Sequence, residues 1–162
     1  MEMTIRRLLR PLNSRLSCAL LVSMASMVTA VHAAGTTISN VAGVTVEAPW
    51  MRLVIRDRPV AGYFTLHNDS GDAIVLTGVA SSACGMLMLH QSTHENAVDK
   101  MFAVKSLTVP AHGKLSFAPG GYHLMCMSPG EDMVIGRSVP VTLQFADTRT
   151  LTVQFPVRGP TE

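Results

Sequence analysis

Residues 139–157 read VPVTLQFADTRTLTVQFPV, two runs of valine, leucine, phenylalanine and threonine on either side of Ala146-Asp147-Thr148-Arg149-Thr150. β-Branched and aromatic side chains suit a pleated, half-buried strand, and a short polar break between two such runs signals a hairpin. The same texture recurs upstream. AGYFTLHN (61–68) is closed by Asp69-Ser70-Gly71 and followed by AIVLTGVA (73–80). KSLTVP (105–110) runs into Ala111-His112-Gly113, and KLSFAP (114–119) into the Gly120-Gly121 pair. No amphipathic helical period shows itself after residue 34, and no repeat or interdomain linker stands out. Many short strands at this spacing predict an all-β domain, a β-sandwich or barrel.

The chain has 162 residues, 48% hydrophobic and 15% charged, which fits one domain with a real core. Its formal charge of +2 is misleading, because Arg6, Arg7, Arg10 and Arg15 all lie at the start. From Ala34 onward nine Lys and Arg face ten Asp and Glu, so the surface offers nucleic acid no electrostatic attraction. The arginines precede LSCALLVSMASMVTAV (16–31), an apolar run of signal-peptide length and short for a membrane span. Val31-His32-Ala33 has the small-x-small form of a cleavage site. Residues 1–33 are therefore expected to be a cleaved secretory signal, and residues 34–162 a single β domain outside the cytoplasm. A retained membrane anchor is the alternative. Cys18 sits too early in the apolar run for lipid attachment. Cleavage leaves Cys84 and Cys126, which in an oxidising compartment either pair or stay buried as small hydrophobes. The sequence leaves that open.

Sulfur and imidazole are unevenly spread. Six of the seven methionines after residue 34 lie between Met86 and Met133, with four of the five histidines, His90, His94, His112 and His123. Read as a strand, MLMLH (86–90) places Met86, Met88 and His90 on one face and Leu87 and Leu89 on the other. In YHLMCM (122–127), His123, Met125 and Met127 share a face opposite Tyr122, Leu124 and Cys126. Methionine is a common core filler and a lone histidine is ordinarily structural. Histidine aligned with methionine in two strands asks for more. Thioether sulfur is neutral and soft, suited to Cu(I) and poorly suited to Zn(II), Mg(II) or Ca(II). Imidazole binds copper in either oxidation state, so a Met/His face favours Cu(I) and tolerates Cu(II). Outside the cytoplasm methionine has a further advantage, since it cannot be lost to a disulfide.

The spacing His90-x10-Met101-x21-His123-x-Met125 resembles the H-x10-M-x21-H-x-M motif of the periplasmic PCu(A)C-type copper chaperones. Pro49-Trp50-Met51-Arg52, AGYFTLHN and PGGYHLM are similar to that family too, and the likeness covers residues 36 to 157. It implies a cupredoxin-like or immunoglobulin-like β-sandwich or barrel, with His90, Met101, His123 and Met125 as ligands to one largely exposed Cu(I). It also implies a periplasmic copper chaperone, exchanging the ion with donor and acceptor proteins of cytochrome c oxidase copper-centre assembly. Cys126 stands where the family usually has an aliphatic residue. Met86, Met88 and Met127 are additional sulfur on the same faces, a loading path or packing. No His/Met-rich C-terminal extension follows, so one site is expected.

Three other readings are weaker. An electron-transfer copper protein needs a cysteine ligand with a histidine following it, and no histidine lies after His123. A hydrolase would show G-x-S-x-G, H-E-x-x-H or a nucleophile spaced with its base, none of which occurs. A metal-independent secreted module using its Met/His face to bind proteins remains, and Cu(I) binding separates it from a carrier.

Overall fold

The computed structural model describes residues 41–161 except 96 and 97. The expected signal segment, with Cys18, lies outside them. The described residues belong to one compact unit and form ten strands with no helix among them. In chain order these are β1 (Val44–Arg52), β2 (Val60–Asn68), β3 (Ile74–Ala80), β4 (Cys84–Glu95) and β5 (Val98–Ala103). Then come β6 (Leu107–Val109), β7 (Gly113–Phe117), β8 (Tyr122–Pro129), β9 (Ser138–Phe145) and β10 (Thr150–Arg158).

The hairpin expected from residues 139–157 is β9 with β10. Leu151 faces Leu143, Val153 faces Val141 and Phe155 faces Val139, all buried, while the alternating residues stay partly exposed. Period-two burial of this kind fixes the register, because a slip by one residue would turn every apolar side chain to solvent. The strands run in the order β5-β4-β8-β7-β2-β1-β10-β9-β3-β6. All neighbouring pairs are antiparallel except β1–β10 and β7–β8. The parallel β1–β10 pair joins the two halves, whose inner faces share one core. Phe64 of β2 meets Phe155 of β10 edge to face, with centroids 5.5 Å apart, and stacks on Phe117 of β7 at 4.1 Å. Such aromatic contacts add about 0.5–1.5 kcal/mol each beyond the area they bury.

Two local devices hold the frame. Gly62 of β2 faces Leu124 of β8, and a Cβ there would come within 2.7 Å of Met51 Sδ and 3.1 Å of Leu124 Cβ, a close approach that suits glycine. Asn68 is fully buried yet satisfied. Its amide donates to the carbonyls of Asp72, Val109 and Pro110, and its Oδ1 accepts from Ser70 N and Oγ.

Candidate metal centre

Three strands build one face. In β4 and β8, Met86 faces Met127, Met88 faces Met125 and His90 faces His123. The intervening pairs Leu87–Cys126 and Leu89–Leu124 point into the core. β5 extends this surface, since its Met101 faces Ser92, two residues beyond His90 on the same side of β4. His90, Met101, His123 and Met125 therefore lie on one face of three adjacent strands. Two of the described methionines behave as core filler instead, with Met51 and Met133 buried. Met86, Met101 and Met127 do not, at 57%, 53% and 38% exposed.

The turn into β8 sets one imidazole. Ala118 O accepts from Gly121 N at 3.0 Å, with Pro119 and Gly120 between them and Gly120 at φ 81°. Proline followed by a glycine at positive φ is the chemistry of a type II turn. The turn aims the Gly121 carbonyl at two donors, Ser92 N on β4 at 3.0 Å and His123 Nδ1 at 3.1 Å. A carbonyl only accepts, so Nδ1 carries the proton and Nε2 keeps its lone pair. A second group that fixes the tautomer in this way is what a metal-binding imidazole needs.

His90 stands edge-on to His123, with ring centroids 5.8 Å apart. Its Nδ1 is enclosed and has no hydrogen-bond partner. Leaving a buried polar atom unpaired costs about 1–3 kcal/mol, and a bound cation would remove that cost. Burial, then the neighbouring His123, hold the His90 imidazole below its ordinary value of 6.5. The ring is thus kept neutral, the form that donates to a metal. Among the described residues no three His, Cys, Asp or Glu side chains gather as they would around zinc. The four expected donors on this face are two imidazoles and two thioethers, a set whose chemistry fits Cu(I).

The structure differs from the sequence expectation in one respect and adds to it in three. The face is not uniformly open: His123 is only 4% exposed, although its strand parity places it with Met125 and Met127. Parity sets the side of a sheet, not the depth at which a side chain lies. Cys84 and Cys126 form a disulfide, resolving the alternative left open above. It lies behind the ligand face, and Cys126 is fully buried. β5, which carries Met101, has no counterpart in the strand pattern read from sequence. Also on the face, His94 Nδ1 meets Asp99 Oδ1 at 2.7 Å across β4 and β5, a pair that the spacing argument passed over. An acid five residues after a histidine was its signal.

The family model described as "Putative lipoprotein LpqE-like" matches residues 44–157. The protein named "Putative lipoprotein Lxx21020" from Leifsonia xyli subsp. xyli (strain CTCB07) is 35% identical over 117 residues, 72% of this chain and 70% of that one. The solution structure of CuI-DR1885 from Deinococcus radiodurans is 35% identical, with a TM-score of 0.56 over 74% of this chain and 78% of that one. The copper-bound PCuAC domain from PmoF2 superimposes with a TM-score of 0.62 over 76% of this chain and 98% of that one, at 21% identity, a likeness of fold. The fold class read from sequence, all-β and cupredoxin-like, holds. The chain belongs to the LpqE-like family, and its β domain has the fold of a PCuAC domain.

Proposed function

We propose that this protein is an extracytoplasmic, periplasmic copper carrier that holds one Cu(I) at His90, Met101, His123 and Met125 and passes it on by ligand exchange. The observation that carries the reading is the register of β5, β4 and β8, which sets these four donors on one face. The fit is chemical as well as positional. Four neutral donors leave the bound ion with its single positive charge, and thioethers need no deprotonation to bind. The copper named with DR1885, a 35% identical relative, supports the choice of metal. The lipoprotein naming of the Leifsonia relative supports a location beyond the cytoplasm. Among the described residues no helix is long and apolar enough to cross a membrane.

Transfer needs no covalent step. Met101 is half-exposed on β5, at one end of the strand order, so an incoming sulfur ligand reaches that side first. His123, buried and held by Gly121, is the last to let go. Acceptors are copper proteins whose own thiolates or thioethers replace these donors, and oxidase copper-centre assembly is the destination we propose. A titration of anaerobic Cu(I) against a competing chelator tests the reading. Uptake of a tightly held equivalent that Met101→Ile and Met125→Ile both weaken supports it, and unchanged binding in both variants overturns it.

A further inference from the structure

The four ligands do not use all the sulfur on their face. Beyond His90–His123, the β4–β8 ladder continues with Met88–Met125 and ends in Met86–Met127. Side chains directly opposed across antiparallel strands have Cβ atoms about 4.5–5.5 Å apart, and the next residue along a face is about 7 Å away. Methionine spans such gaps easily, having three rotatable bonds. Met86 and Met127 are both exposed, at 57% and 38%. They fill no core. Met88 is half-buried between that pair and the His90–His123 pair.

From this juxtaposition we infer that Met86, Met88 and Met127 form a second, thioether-only site for a soft monovalent cation, Cu(I) or Ag(I), one step along the ladder from the mixed site. Three neutral sulfurs with no imidazole make it selective for soft ions and insensitive to the protonation that empties histidine sites. Its exposure makes it the weaker and faster of the two. The identity of the cargo rests on the copper reading, but the donors are different residues. The mixed site still holds one ion.

Ag(I), which is redox-inert, is the probe. In protein labelled at its methionine methyl groups, the first equivalent should shift Met101 and Met125. The second should shift Met86, Met88 and Met127 together. Met86→Leu with Met127→Leu should abolish the second equivalent and change the affinity for the first by less than about twofold, as for independent sites. Leucine preserves volume at these exposed positions, so the variant folds. Conversely, His90→Gln with Met101→Ile should remove the first event and leave the three-methionine shift. Saturation of the parent at one equivalent, or a second equivalent that survives the double leucine change, overturns the inference. Loss of neither event in the His90/Met101 variant overturns the mixed-site assignment instead.

Discussion

In the proposed carrier, His123 and Met101 would hold the ion in opposite ways. The imidazole is buried, with its tautomer set by Gly121, while the thioether is 53% exposed on a strand that packs nothing. Met101→Ile should therefore leave stability within about 0.5 kcal/mol, as for most surface changes. Cu(I) affinity should fall at least about tenfold, or 1.4 kcal/mol. Chelator competition beside urea unfolding separates the two effects. His90 yields a pH prediction. Its folded-state pKa lies below the ordinary 6.5, because burial and His123 both disfavour the charged ring. The neutral folded form is favoured above the unfolded value, and that stability is lost as pH falls from 6.5 through the depressed folded value. Urea midpoints of the apo-protein should decline over that window, and His90→Gln should flatten the decline.

At the scale of elements, β4 and β8 are the working pair. Their register aligns three donor pairs in front, and the Cys84–Cys126 disulfide ties them behind. The bridge spans 42 residues of sequence, for which loop-closure entropy gives about 4 kcal/mol at most and strain commonly less. Replacing both cysteines by alanine should cost about 2–4 kcal/mol in urea unfolding, with the transition slope unchanged if the denatured state stays as expanded. Much of this architecture was legible in the sequence. The β9–β10 hairpin, β2, β3 and the faces of β4 and β8 follow from period-two alternation, which burial imposes directly. β5 escaped because all six of its residues are exposed, so no face was selected for apolar character. β1 escaped in part because its ladder is irregular between Glu47 and Trp50, where Ala48 takes φ 48° beside Pro49. The disulfide could not be read, since a gap in sequence does not give a distance in space. Met101 was reached through family resemblance, not through any strand pattern.

At the scale of the molecule, the fold separates two tasks. The core, shared by both halves across the β1–β10 junction, holds a rigid sheet whose outer face carries the donors. The edge strand β5 exposes Met101 on the donor face and Val98 and Phe102 on the opposite one. Since metal binds the folded state selectively, Cu(I) at a hundredfold excess over its dissociation constant should stabilise the protein by about 2.7 kcal/mol. Anaerobic urea unfolding with and without the ion measures this, and a tenfold weakening in Met125→Ile should cut the increment to about 1.4 kcal/mol at the same concentration.

The ligand set itself is the central claim, and X-ray absorption at the copper edge tests it most directly. Protein loaded with a single equivalent of Cu(I) should show nitrogen and sulfur neighbours together, with sulfur diminished in Met125→Ile and nitrogen diminished in His123→Gln. A shell of nitrogen and oxygen alone, or one that neither substitution alters, would contradict the account.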